Sequence, residues 1–195
     1  MNDDGDEPER TSQDLLRYVS ELGATEAESS AAAMLGGLRP LALDLSLRPP
    51  GLAISFEEFV ADAGNEASLV RRLWLACGLP ENPDFPFPVT RDAAAAIGLL
   101  AGLGQIVGED AVMGFARALG SSIAHMAEAL SEAMRLGVEV RASEEGASDF
   151  EMVRGYTSVA RETLPGIANA IEALLRRHLV LVSYQLGSTD EDRTW

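Results

Sequence analysis

The residues of this chain that could do chemistry are few and badly spaced for it. One cysteine, Cys77, stands far in sequence from two histidines, His125 and His178. A thiolate nucleophile needs a base in hydrogen-bonding reach, and a zinc site needs three or four ligands at short spacing, so neither is encoded as a motif. All fifteen basic residues are arginine, and lysine is absent. That removes Schiff-base chemistry, the P-loop lysine and the protein-kinase lysine together. The run Gly102-Leu-Gly104-Gln-Ile-Val-Gly108 looks like a phosphate-cradling loop. Its spacing is not that of a dinucleotide fingerprint, however, and no strand precedes it. No nucleophile elbow, HExxH or EF-hand loop occurs. The chain by itself reads as no enzyme and as needing no cofactor or metal.

Composition narrows the partners. The net charge is −16, with 31 acidic against 15 basic residues. Phosphate recognition draws its affinity from clustered cations, so nucleic acid is excluded as a partner, and an anionic membrane surface is disfavoured for the same reason. The pair of segments FEEFVADAGN and LVRRLWLACGLP superficially resembles a helix-turn-helix, but Arg71 and Arg72 alone do not make a recognition face. The longest uncharged run, Ala93 to Gly108, has 16 residues with four glycines. A bilayer span needs about 20 strongly apolar residues, so this run reads as a buried helix rather than a membrane span. The single cysteine and the acidic first ten residues, which lack a cationic and apolar leader pattern, predict a cytoplasmic protein.

The elements that must position these residues are helices. Hydrophobic residues make up 47% of the chain and aromatic ones only 6%. Abundant alanine favours closely packed helices over a sandwich rich in aromatic and β-branched residues. The fold expected is all-α, a compact domain of about seven to ten helices spanning residues 12–186. It is flanked by a disordered acidic stretch, 1–11, and a linker, 187–195.

Thr11 or Ser12 caps a first helix with Leu15, Leu16, Val19 and Leu22 on one face, and a second runs from about Thr25 to Leu35. Pro40 and Pro49-Pro50-Gly51 make Arg39 to Gly51 a connector or short helical turns. Ser55 with Glu58 is a capping-box pattern opening a short helix. The next helix, near Glu66 to Cys77, buries Trp74 and stops at Gly78, and ENPDFPFP is loop. Thr90 caps a helix to about Val107 in which Gly98 and Gly102 invite close approach of another backbone. From about Glu109 to Leu136 apolar residues recur at steps of three and four. Ser148 and Glu151 open the last helix, reaching about Leu186 with a kink or break at Pro165.

That last helix carries a further pattern. Phe150, Thr157, Leu164, Ile171, His178 and Gln185 fall seven apart, with Val153, Ala160, Ile167, Leu174 and Leu181 between them. This is a heptad seam of about five repeats, the signature of helix pairing. In a parallel homodimer two His178 side chains would face each other; heptads also occur inside single-domain bundles, where His178 packs in a helix contact within its own chain. Protonating both would set like charges together and weaken the pair as pH falls. His125 lies on an otherwise polar helix face.

The order of FEEFVADAGN, VRRLWLACGLPE, FPVTRDAAAAIGLLAGLGQIVGED and FARALGSSIAHMAEA resembles the N-terminal regulatory domain of actinobacterial class III adenylate cyclases, over roughly Leu52 to Leu181. The resemblance implies a homodimeric, pH-responsive module whose last helix leads into a catalytic domain making cAMP from ATP. That domain's metal-binding aspartates have no counterpart here. It also implies a fatty acid ligand in an apolar channel, for which Phe115, Leu119, Ile123, Met126, Leu130 and Met134 are the candidate lining. His178, His125, Ile171, Leu174 and Leu181 are the candidate switch and dimer seam. The competing expectation is a free-standing helical protein binding a lipid or small molecule.

Overall fold

Residues 7–49, 54–81 and 88–191 are described by a computed structural model, and among them every extended element is helical. The α-helical segments are α1 (Glu7–Glu21), α2 (Glu26–Met34), α3 (Leu38–Leu47), α4 (Phe56–Asp62), α5 (Ala67–Ala76), α6 (Arg91–Val107), α7 (Glu109–Met134), α8 (Val140–Glu144) and α9 (Asp149–Glu191). A 3-10 turn, Gly64–Glu66, joins α4 to α5, and a π-helical stretch, Arg135–Glu139, joins α7 to α8. The all-α expectation of seven to ten helices is met. An isolated antiparallel bridge between Ile54 and Val89 ties the segment before α4 to the one before α6.

Two apolar cores divide the helices. The first gathers α4, α5, α6 and the start of α7 around Leu73, Trp74, Ile97, Leu100, Val112 and Ala116. Phe56, Phe59 and Trp74 stack with ring centroids 5.2 to 6.4 Å apart, and Trp74 Nε1 donates to the Pro80 carbonyl at 3.0 Å. The second packs α1, α2 and α3 against the first turns of α9 through Leu15, Val19, Ala32, Leu41, Ala42 and Val153.

Capping boxes start α2 at Thr25 and α4 at Ser55, and the same reciprocal bonds join Ser148 and Glu151 at the start of α9. These satisfy helix N–H groups that would otherwise be orphaned. Each of the three holds its glutamate carboxyl below the ordinary range. For Glu58 and Glu151 the backbone N–H of the capping serine is the main cause and its hydroxyl the second. For Glu28 burial works in the opposite direction but is outweighed by the Thr25 N–H, Arg48 and the Thr25 hydroxyl.

Several boundaries differ from the sequence expectation. Of the connector or short helical turns expected from Arg39 on, the helical alternative holds, and at greater length: Arg39 to Leu47 belong to the ten-residue α3, whose Leu41 and Ala42 are fully buried. Pro40 sits in the first turn, where its missing N–H has no helical partner to lose. The first helix begins at Glu7, so residues 7–11 of the expected disordered stretch are helical. Pro8 lies in that first turn for the same reason. At the other end α9 continues to Glu191, into the expected linker, because a lone Gly187 costs about 1 kcal/mol without breaking a helix. Residues 1–6 and 192–195 of the two expected tails, Pro50 and Gly51, and 82–87 of the proline loop lie outside the described residues.

Pro165 does not end α9. The residues around it, 161–166, are exposed, so water can satisfy the carbonyl its ring deprives of a donor. Gly98 and Gly102 are not contact points either, since a Cβ built on them meets nothing within 4 Å. The close approach is at Gly120 of α7, where a Cβ would lie 2.5 Å from the Cys77 carbonyl oxygen.

Candidate functional site

The glycine run of α6 is helix rather than loop. Gly102 and Gly104 lie inside α6, and Gly108, at φ 92°, makes the turn into α7. It cradles nothing. Cys77 is half-buried and burial pushes its thiol up, away from a reactive thiolate. Among the described residues no three of His, Cys, Asp and Glu stand together as metal ligands. Arg71 pairs with Glu81 at 2.8 Å and Glu57 at 3.1 Å and lies 5.0 Å over the Phe56 ring. Arg72 pairs with Glu109. Both arginines of the helix-turn-helix-like segment are therefore engaged by carboxylates. No helix among the described residues is long and apolar enough to cross a membrane.

What distinguishes the molecule is an apolar stripe that is covered at one end and bare at the other. In the first turns of α9 the heptad positions face their own chain. Val153 and Ala160 are buried, Thr157 is 1% exposed, and Phe150 meets Tyr18 edge-on at 5.7 Å. The Tyr18 and Thr157 hydroxyls share a hydrogen bond of 2.8 Å, and Thr157 Oγ1 also donates to the Arg154 carbonyl. At these positions the register packs within its own chain, against α1 and α3, as heptads inside a single bundle do.

Beyond Ala160 the same register runs on without a cover. Ile167 and Ile171 are half-buried, while Leu164, Leu174 and Leu181 are exposed, Leu174 to 62%. His178 and Gln185 are exposed as well. Leu175, Leu179, Val180 and Val182 add exposed apolar surface on the other sides of the helix. A helix apolar around its circumference is ordinarily a buried one. The only ion pair described along this stretch is Arg176 with Glu172, at 2.5 Å on one helical turn.

The second half of α7 is bare in the same way. Ser121 to Ala129 are all exposed, including Ile123 and Met126, and Leu130 is half-buried. Of the six residues expected to line a lipid channel, Phe115, Ile123 and Met126 are exposed, Leu119 and Leu130 half-buried, and Met134 buried at 8%. They form one stripe on α7 rather than the walls of an enclosed channel. His125 is exposed on this bare segment. The sequence could not reveal that the covered and uncovered parts of both helices divide so sharply, because periodicity marks an apolar face without naming what covers it.

No family model matches the chain. It is 32% identical over 166 residues to an uncharacterized protein of Mycobacterium tuberculosis and, at the same identity and length, to an uncharacterized protein of Mycobacterium bovis. The match covers 85% of this chain and 43% of each relative. The chain spans less than half the length of either.

Proposed function

We propose that the chain is a homodimeric, cytoplasmic regulatory module of a class III adenylate cyclase, controlling cAMP synthesis by an attached catalytic domain. The observation that carries this reading is the bare second half of α9, whose stripe from Leu164 to Leu181 is the continuation of one that is buried upstream. Burying apolar surface of this extent is favourable at about 25 cal/mol per Å2, and a parallel second copy offers the same register to match it. The length of the relatives supports the reading too, since more than half of each lies outside the matched region.

In this mechanism the module performs no bond chemistry. The paired α9 helices hold whatever follows them in a fixed geometry, and a class III cyclase builds its active sites between two chains. A change in the pairing of α9 therefore changes catalysis by placement, as a shift between two populated states. A coupling of about 1 to 3 kcal/mol suffices for a useful change in output.

Two inputs act on that equilibrium. Protonation of facing His178 side chains adds like charge to the seam and disfavours the paired state as pH falls. A fatty acid chain laid along Phe115, Ile123, Met126 and Leu130 covers the α7 stripe and favours the state in which that stripe is buried. The test is cAMP formation from ATP by the product of the complete reading frame that contains this chain, beside a version lacking residues 1–186. Cyclase activity that changes on the deletion is the expected result. A product that makes no cAMP contradicts the proposal, and co-purified fatty acid in native mass spectra of such a product points instead to a free-standing lipid carrier.

A further inference from the structure

Helix α9 changes its surroundings abruptly. Up to Ala160 it is held by the body of the molecule: Val153, Thr157 and Ala160 are buried, and the Thr157 hydroxyl shares its 2.8 Å bond with Tyr18. Residues 161–166 are then exposed without a break, and from there to Gln185 only Ile167 and Ile171 are even half-buried. Ser158 bonds Glu162, Thr163 the Val159 carbonyl, Arg176 Glu172 and Ser183 the Leu179 carbonyl. The hydrogen bonds and ion pairs described for side chains 161–184 thus run along the helix and not across to the two cores.

At that boundary the sequence sets the two weakest helix formers side by side. Pro165 lies inside α9 and has no N–H, so the Arg161 carbonyl loses its helical donor and the ring crowds that turn. Gly166 follows, and a Cβ built on it meets nothing within 4 Å, so no packed neighbour calls for a glycine there. What it brings is backbone freedom in the middle of a helix. Two residues before Pro165, Thr163 Oγ1 donates to the Val159 carbonyl at 2.8 Å, a back-bond of the kind that bends helices. Sharp bends in long helices arise at proline and where a side chain enters the ladder. Three features that loosen a helix therefore coincide with the place where α9 leaves its support.

We propose that Pro165-Gly166 is a hinge about which the distal arm of α9, residues 167–185, swings as a unit against the two-core body. The intact ladder on either side keeps each arm stiff, so the motion is confined to a few residues. Because 161–166 are all exposed, bending there uncovers no core and meets no packed neighbour. Ser183 stands about 26 Å beyond Gly166 at the helical rise per residue, so a change of about 20° at the hinge carries it about 9 Å. The hinge follows from α9 alone. Its part in controlling a catalytic domain rests on the function proposed above, where it supplies the joint between two populated placements of the arm.

The test reads distances by double electron-electron resonance in the whole chain, carrying Cys77→Ser and spin labels at the exposed positions Ala33→Cys and Ser183→Cys. Excess unlabelled chain restricts the signal to distances within one copy. Labels at Ala33→Cys and Arg154→Cys span only the supported half and are the control. The outer pair is expected to be broader than the control by about 5 Å or more, and to narrow to the control's width in Pro165→Ala/Gly166→Ala. Hydrogen exchange of amides 166–169 should slow about tenfold or more in the same variant. An outer distribution as narrow as the control, one that stays broad in the variant, or exchange that the variant leaves unchanged would each overturn the hinge. In the product of the complete reading frame the variant should change the rate of cAMP formation about fivefold or more at equal dimer content. An unchanged rate beside a narrowed distribution would overturn the regulatory role. A parent that makes no cAMP counts against the cyclase reading, while the distances still decide the hinge.

Discussion

Leu174→Ala isolates the bare half of α9 from the rest of the fold. Leu174 is 62% exposed in the single chain, so a second copy seated on the stripe would bury most of its surface. Leucine exceeds alanine by three methylene-sized groups, each contributing about 0.8 kcal/mol when buried, so a seam that covers the exposed part loses about 1.5 kcal/mol per copy. Symmetry counts the loss twice, giving about 3 kcal/mol, or roughly a hundredfold rise in the dimer dissociation constant. Sedimentation velocity over a dilution series reads this directly. The folded monomer should be untouched, because Leu174 supports neither apolar core. Helix content by circular dichroism and melting of the diluted monomer are the controls. Glu162→Ala, exposed and off the stripe, should leave the dissociation constant within about threefold. If Leu174→Ala dimerises as tightly as the parent, the bare stripe is not the seam.

Other expectations concern the fold that presents this helix. Gly120→Ala should destabilise by about 1 to 3 kcal/mol in urea unfolding, because its Cβ would meet Cys77 backbone that cannot swing aside. Gly102→Ala should instead stabilise by up to about 1 kcal/mol, since the new methyl meets nothing and alanine is the better helix former. Thr157→Val removes the hydroxyl pair with Tyr18 and should cost about 1 kcal/mol in the same assay. Arg48 bridges Glu28 at 2.8 Å and also binds Asp44, with only 15% of its side chain exposed, so Arg48→Met should cost about 1 to 3 kcal/mol at pH 7. Because the Glu28 carboxyl is lowered in the folded state, its stabilisation is present at neutral pH and is lost as pH falls through that lowered value. Arg48→Met should accordingly flatten the acid limb of the stability profile, measured as melting temperature against pH.

Helix positions were legible in the sequence where caps and periodicity agreed. Ser55 with Glu58 and Ser148 with Glu151 close as reciprocal caps, and Trp74 anchors the core its spacing suggested. The length of α3 was obscured by Pro40 and the prolines after it, which suggested at most short helical turns, although Leu38, Leu41, Ala42 and Leu45 already spell one helical face. The π turn was invisible because Arg135–Glu139 contains a glycine and no distinguishing period. Glycine spacing misled as well: Gly98 and Gly102 stand four apart on an open face, whereas Gly120, single and unremarked, takes the backbone contact. The heptad pattern located the stripe correctly but could not tell that α1 and α3 cover its first turns. That distinction depends on the long-range return of the chain, which no local pattern records.

The most direct test joins the seam to the reaction. In the product of the complete reading frame, cAMP formation from ATP should fall in Leu174→Ala at nanomolar protein and recover as the concentration is raised through the weakened dissociation constant. Activity independent of both the substitution and the protein concentration, or no cAMP at all, would contradict the account.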